Sequence, residues 1–218
     1  VYCVGIQKNL KINNIIELVK IIMLKNYTFN GINHINIKEI VKTFNEAGFV
    51  VIKNGINKRI ISNLKDQLYN NVKKNKIKNK LRDLHLLKNG EISSAHNLSN
   101  YLSIYKKLEN NKSIKYLAKN IYGQISKKTF NSSYFAKPRK NGIETKPHQD
   151  NAFFCMEPSE VLTFWFPVKF ANKINGGLYY YLGSHKSKIY EHNSKGNLGA
   201  SMSITKKDLI VVKKKYKK

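Results

Sequence analysis

Cysteine, acidic residues and long apolar runs are all scarce in this chain of 218 residues. Its two cysteines, Cys3 and Cys155, are far apart in the sequence and form neither the short spacing of a metal site nor a disulfide scaffold. We therefore predict a reducing, cytoplasmic location. The most apolar run, residues 15–24, contains Glu17 and Lys20 and is too short to cross a bilayer, so no membrane partner is predicted.

The shortage of acidic residues gives the chain a large positive charge. Thirteen Asp and Glu stand against forty Lys and Arg, for a net charge of +27. Such a charge suits a polyanion partner, and a basic nucleic-acid-binding protein is one alternative for the function. However, Lys, Asn and Ile are abundant throughout, which is typical of drift towards AT-rich codons. The basic residues are dispersed, so we favour drift over a nucleic-acid partner.

Helical signals dominate the first half of the chain. Asn36 and Glu39 have the spacing of a capping box, apolar residues then recur at helical spacing, and Gly48 is placed like a helix C-cap. Residues 49–52 predict a short buried strand. Asn57 is predicted to cap a second helix.

The rest of this half is less uniform. Residues 74–95 are polar and poorly patterned, and they predict a loop. Residues 112–122 predict a further helix, which ends at Gly123.

The character of the chain changes after Gly123, where short β-rich runs alternate with turn residues. This pattern predicts a β-sandwich or jelly roll, and hence an α+β fold with a mainly β core. The predicted strands cover residues 126–136, 148–155, 160–170 and 177–182.

The same signals predict how the chain is divided. We expect residues 1–35 to be an N-terminal extension, with Met23 as the biological start because it is the first methionine. Residues 36–218 then form one domain, with a mainly helical part over 36–123 and a partial β core over 124–218.

The clearest chemical signal is the pair His148 and Asp150. Side chains two residues apart on an extended segment point to the same face, because side chains alternate along a strand. An imidazole and a carboxylate in this arrangement supply two adjacent ligands of the 2-His-1-carboxylate site that binds iron(II) and leaves positions open.

Several motifs occur in an order that resembles the phytanoyl-CoA dioxygenase family of iron(II)/2-oxoglutarate oxygenases. The resemblance extends from about residue 37 to residue 203. Each motif alone is common, but their order and spacing together are specific. They are an opening helix and strand at 44–52, His-Gln-Asp at 148–150, Leu-Thr-Phe-Trp at 162–165, Asn-Gly-Gly-Leu at 175–178 and Gly-Ser-His-Lys at 183–186.

This resemblance implies a fold, a reaction and a set of residues. The fold is a double-stranded β-helix (a cupin-like jelly roll) after N-terminal helices. The reaction uses iron(II), 2-oxoglutarate and O2 to hydroxylate a small organic substrate, with release of succinate and CO2. His148 and Asp150 match the first two iron ligands, and an aspartate favours hydroxylation because halogenating relatives carry a small residue there. Ser133 and Tyr134 match the cosubstrate pocket. Trp165 either faces the iron or cosubstrate or is an ordinary core aromatic.

Two groups that the resemblance implies are missing. The family has a second histidine ligand downstream and then an arginine that binds 2-oxoglutarate. Here His185 matches the Gly-Ser-His turn, His192 lies in the loop behind it, and no arginine follows Arg139. We therefore expect both groups beyond Lys218, together with the last strands, and we expect residues 1–218 alone to be inactive. A non-catalytic jelly-roll binding domain is the remaining alternative.

Overall fold

The computed structural model describes residues 2–5, 26–73, 84–123, 131–138, 142, 144–157, 160–172, 175–193 and 202–216. Some predicted features lie outside these residues. They are the start at Met23, the first part of the loop predicted at 74–95, the first part of the strand predicted at 126–136, and both groups expected beyond Lys218.

Helices and short strands alternate along the described chain. The α-helices are Ile37–Ala47 (α1), Lys58–Gln67 (α2), Ser103–Glu109 (α3), Lys112–Tyr122 (α4), Asn151–Phe154 (α5) and Lys206–Lys215 (α6). A π-helical segment, Leu68–Lys73, continues α2, and 3-10 helices cover Leu98–Asn100 and Ser184–Lys186. The strands are Tyr2–Gly5 (β1), Thr28–Asn30 (β2), Phe49–Lys53 (β3), Leu84–Leu86 (β4), Ile92–Ala95 (β5), Tyr134–Phe135 (β6), Leu162–Trp165 (β7), His192–Asn193 (β8) and Ser203–Ile204 (β9). The fold is α+β, as predicted. Among these helices none has the length and apolar content needed to cross a membrane.

The strands form separate parallel and antiparallel sheets. The largest sheet has the order β2-β3-β1-β7, and all of its pairs are parallel. The strands β4, β5 and β6 form an antiparallel sheet, and β8 pairs with β9. Both β1 and β2 belong to residues 1–35, so the large sheet includes parts of the predicted extension. The division at residue 36 stays a prediction.

The helix and the strand that the sequence predicts on either side of Gly48 are both present. Helix α1 ends at Ala47, and its C-cap Gly48 has φ 86° and donates its N–H to the Phe44 carbonyl at 2.8 Å. The Asn57 side chain accepts a hydrogen bond from the Arg59 amide at 2.8 Å, which caps α2. Helix α4 has the predicted bounds. The capping box was wrong, because the Asn36 side chain makes no cap hydrogen bond and instead accepts from the Asn33 amide.

The hydrophobic core of the described residues consists mainly of two clusters, and the first lies between helices and the large sheet. One cluster joins α1, β3 and α4 and contains Ile37, Ile40, Phe44, Val50, Ile52 and Leu117. A second cluster lies around α2 and α3 and contains Ile56, Leu64, Leu68, Ala95, Leu98, Leu102, Ile104 and Leu108. From β7, Leu162 and Phe164 pack against the first cluster. Because strand side chains alternate, Thr163 and Trp165 share the opposite face of β7.

Some predicted elements differ from the structure. The strand predicted at 148–155 is wrong, because Asp150 has helical backbone angles (φ −58°, ψ −34°) and is followed by α5. The Asn151 side chain closes this turn, donating to the Met156 carbonyl at 3.0 Å and accepting from the Met156 amide at 2.9 Å. Such local bonds compete with a strand ladder.

Other differences concern strand bounds. The loop predicted at 74–95 contains β4 and β5, and the strand predicted at 160–170 is only β7. Residues 177–182 form no strand in the described structure. A closed double-stranded β-helix is not formed by the described strands alone.

Candidate metal centre

His148 and Asp150 lie side by side in the loop between Pro147 and α5. The His148 Nε2 atom is 3.3 Å from the Asp150 Oδ1 atom, and the two side chains are 26% and 22% exposed. The pair converges because Asp150 turns into a helical conformation, not because both residues lie on one strand. The two groups are therefore together as predicted, but by a different backbone geometry.

The other polar atom of each side chain already has a partner. His148 Nδ1 lies 2.8 Å from the Lys146 carbonyl, to which it can only donate, so Nε2 keeps its lone pair when the ring is neutral. The Thr163 hydroxyl donates to Asp150 Oδ2 at 3.1 Å. Hence His148 Nε2 and Asp150 Oδ1 are the atoms left to bind a cation.

The separation of these two atoms fits a shared metal ion. Two ligands at about 2.1 Å from a metal and at right angles to each other lie about 3.0 Å apart. The observed separation of 3.3 Å is close to that value. A metal-binding histidine also commonly donates its second ring N–H to a backbone carbonyl, as His148 does to Lys146.

The protonation of His148 is affected by opposing factors. Burial lowers its pKa, but the hydrogen bonds to Asp150 and to the Lys146 carbonyl and the negative charge of Asp150 together raise the pKa above its ordinary value of 6.5. In the metal-free protein Asp150 therefore favours a proton on His148. A cation has to displace that proton.

Residues far along the chain hold the outer side of this loop. The Gln149 amide donates to His192 Nε2 at 3.0 Å, and the Ile204 amide donates to the Pro147 carbonyl at 3.0 Å. The ring of Phe153 meets the ring of His148 edge to face, with centroids 5.6 Å apart. The loop is thus fixed by the β8–β9 pair as well as by β7.

The other predicted site residues occupy different surroundings. Trp165 is half-buried and shares a face of β7 with Thr163, which contacts Asp150. Ser133 instead bonds His96 Nδ1 at 2.9 Å and the Asn131 side chain at 3.1 Å. Tyr134 packs against the core cluster around α2 and α3, and burial raises its pKa. The roles of Ser133, Tyr134 and Trp165 stay predictions.

A family model described as Phytanoyl-CoA dioxygenase (PhyH) matches residues 44–207. The chain belongs to the phytanoyl-CoA dioxygenase family. Among curated proteins, it is 30% identical over 89 residues to "Phytanoyl-CoA dioxygenase" of Arabidopsis thaliana, covering 38% of this chain and 31% of that protein. It is 38% identical over 58 residues to "Phytanoyl-CoA dioxygenase 1" of Oryza sativa subsp. japonica, covering 27% of this chain and 21% of that protein.

These matches cover only part of the relatives. The chain matches about a third of the length of the first curated relative and about a fifth of the second. No solved structure matches the chain. The family match supports a cupin-like jelly roll. The matched range contains His148, Asp150 and Trp165.

The described residues of this phytanoyl-CoA dioxygenase family member do not supply the predicted third ligand. They contain no group of three His, Cys, Asp or Glu side chains that could hold a metal ion. Both ring nitrogens of His192 already have partners, the Gln149 amide and the Tyr190 carbonyl. His185 donates from Nε2 to the Asn45 carbonyl at 3.0 Å. Among the described residues, His148 and Asp150 are therefore the two candidate ligand side chains.

Sequence reasoning missed two residues that contact the loop carrying His148 and Asp150. Thr163 could have been found, because it lies two residues before Trp165 on a predicted strand and so shares its face. His192 gave no local signal, since its partner Gln149 lies 43 residues earlier.

Proposed function

We propose that this protein is an iron(II)- and 2-oxoglutarate-dependent dioxygenase that hydroxylates a small organic substrate and releases succinate and CO2. The observation that carries the proposal is the 3.3 Å approach of His148 Nε2 and Asp150 Oδ1, with the second polar atom of each side chain bonded elsewhere. Family membership over residues 44–207 supports the same reaction class.

The residues of this chain would orient and protect the reaction centre. Bound iron(II), with 2-oxoglutarate and O2, supplies the oxidative chemistry. His148 and Asp150 would hold the ion, the Lys146 carbonyl would fix the His148 ring, and Thr163 would fix the Asp150 carboxylate. In halogenating relatives this ligand position is left free for a halide ion. The carboxylate of Asp150 would fill it, which favours hydroxylation.

Further parts of the proposal come from the resemblance to the family. We expect a distal histidine ligand and an arginine for 2-oxoglutarate beyond Lys218, and we expect the strands to belong to a double-stranded β-helix. Trp165 would line the site on the Thr163 face of β7. Ser133 and Tyr134 would line the cosubstrate pocket, and the protein would act in the cytoplasm.

Substitution of Asp150 tests the proposal in the full-length protein. Asp150→Asn keeps the size of the side chain but removes the charge that holds the cation, so we expect succinate formation from 2-oxoglutarate to fall by more than about a hundredfold. Asp66→Asn, at an exposed position of α2, is the matched control and should retain full turnover.

Two results would count against this function. Equal iron-dependent turnover in Asp150→Asn and Asp66→Asn would exclude Asp150 as a ligand. A folded wild-type protein with neither iron binding nor succinate formation would favour a non-catalytic jelly-roll domain.

A further inference from the structure

Gln149, the residue between the two candidate ligands, is hydrogen-bonded to residues 188–192 through its backbone amide and both polar atoms of its side chain. Its amide donates to His192 Nε2 at 3.0 Å. Its side chain donates to the Lys188 carbonyl at 3.1 Å and accepts from the Tyr190 amide at 2.7 Å. The amide and the side chain of Gln149 are therefore bonded to residues 188–192, while its carbonyl accepts from the nearby Ala152 amide at 3.0 Å.

The imidazole of His192 is fixed in one orientation by its two partners. A backbone amide can only donate, so Nε2 must accept from Gln149 and carries no proton. Nδ1 lies 2.7 Å from the Tyr190 carbonyl and so carries the ring proton. This is one tautomer of the neutral ring, and it leaves neither nitrogen available for a metal.

The backbone of His192 is tied to the same loop. His192 pairs with Ile204 across β8 and β9, and the Ile204 amide donates to the Pro147 carbonyl at 3.0 Å. The loop is thus held before His148 by β9 and after His148 by the His192 ring. Rotation of the peptide between positions 148 and 149 would break the bond to His192.

We infer that His192 is a positioning residue for the candidate metal centre. It fixes the Gln149 peptide, and through it the 3.3 Å convergence of His148 Nε2 and Asp150 Oδ1. A metal site requires its ligands to be held within about 0.5 Å of the productive geometry, and a three-residue loop alone does not ensure this. The inference rests on the proposed function for its metal, but not for its hydrogen bonds.

Substitutions of His192 in the full-length protein test this role. Glutamine can present an acceptor to the Gln149 amide and a donor to the Tyr190 carbonyl, whereas phenylalanine fills the space with neither. We expect His192→Phe to weaken binding of Co(II), used as the probe for the iron site, by about 10- to 100-fold, and His192→Gln to recover most of that loss. His34→Phe, an exposed histidine bonded to the Tyr116 hydroxyl at 2.9 Å, is the matched control.

A second measurement needs neither metal nor activity. In the metal-free protein, the Gln149 amide should exchange with solvent about tenfold faster in His192→Phe than in wild type, and at nearly the wild-type rate in His192→Gln. Nitrogen NMR shifts of the His192 ring should show the proton on Nδ1. If His192→Phe fails to fold, His192→Asn, which is too short to reach both partners, should give the same two losses.

Distinct outcomes separate this inference from the proposed function. Wild-type Co(II) affinity in folded His192→Phe, unchanged exchange of the Gln149 amide, or a proton on Nε2 would each overturn the positioning role. If wild type itself binds no Co(II), the proposed function fails, while the exchange rates and the ring tautomer still decide whether His192 fixes the loop.

Discussion

The described parts of residues 26–123 and of residues 144–193 bury their apolar side chains to very different degrees. In the first region Ile40, Phe44 and Val50 are completely buried. In the second, Tyr190 is the one buried hydrophobic residue among those described, and every residue of β7 is only half-buried. Exposed apolar side chains occur in both, such as Ile35 in the first and Phe170 and Leu178 in the second. The first region thus contains most of the packed core, and the side chains of the second are less deeply buried.

The two regions are also held by different forces. Burial of apolar area stabilises the first region. In the second, the loop that carries His148 and Asp150 and the Gly-Ser-His turn are held by several polar bonds, such as Thr163 to Asp150 and His185 to Asn45. Each such bond contributes only about 1 kcal/mol, but it fixes direction. The comparison teaches that most apolar burial and most polar bonds of the candidate site come from different parts of the chain, with β7 contributing to both.

Truncation of a phenylalanine in each region gives the largest expected contrast. Phe44→Ala should lower the free energy of unfolding by about 3–5 kcal/mol, because it leaves a cavity between α1 and β3. Phe170→Ala, at an exposed position, should change it by less than about 1 kcal/mol. Urea unfolding measures both. Similar losses for the two variants would refute the contrast between scaffold and surface.

Gly48 joins the two regions, and its substitution should have the next largest effect. An alanine there would need φ near 86° and would place its Cβ 2.8 Å from Cγ of His185. Gly123→Ala has the same backbone problem (φ 71°), but its Cβ meets no atom within 4 Å among the described residues. We expect Gly123→Ala to cost about 1–2 kcal/mol and Gly48→Ala about 1–3 kcal/mol more.

A double variant tests whether the cost of Gly48→Ala comes from overlap with His185. Adding His185→Ala to Gly48→Ala removes the overlap, so the double variant should lose less stability than the two single losses combined. Simple additivity in thermal or urea unfolding would mean that His185 does not pack on Gly48.

The smallest expected effect is a pH dependence from His185. Burial lowers its pKa below 6.5, and the charge of Lys186 lowers it further, although the hydrogen bond to the Asn45 carbonyl acts in the opposite direction. The unfolded chain then binds the proton more tightly than the folded chain, so stability present above pH 6.5 is lost as the pH falls through the folded pKa. His185→Gln should flatten the fall in melting temperature between about pH 7.5 and pH 5. His34→Gln controls for loss of a histidine, and an unchanged slope in His185→Gln would contradict the assignment.

Sequence reasoning succeeded where the signal is local. The order of α1, Gly48 and β3, and the bounds of α4 with Gly123 after it, follow from helical spacing and from glycine's tolerance of positive φ. The Asn57 cap depends on contacts within two residues. The nearness of His148 and Asp150 is local as well, which explains why the pair could be predicted even though the predicted strand was wrong.

The remaining features depend on partners far along the chain. The short strands β4 and β5 pair with each other, and β5 also pairs with β6. With three and four residues, they are too short to show a clear alternation in the sequence. The bonds of Gln149 to residues 188–192 leave no pattern in either segment. Predicted site residues such as Ser133 and Tyr134 came from family resemblance, and their partners are set by packing of β6.

The contact between the Gly-Ser-His turn and the end of α1 has a consequence for the order of assembly. The Gly183 amide donates to the Ala47 carbonyl at 2.9 Å, and His185 bonds Asn45, 140 residues earlier in the chain. During synthesis, α1 and β3 can therefore form long before their partner has left the ribosome. Until then the Asn45 and Ala47 carbonyls at the end of α1 remain exposed to water. The Gly-Ser-His turn, synthesised later, then provides their hydrogen-bond donors.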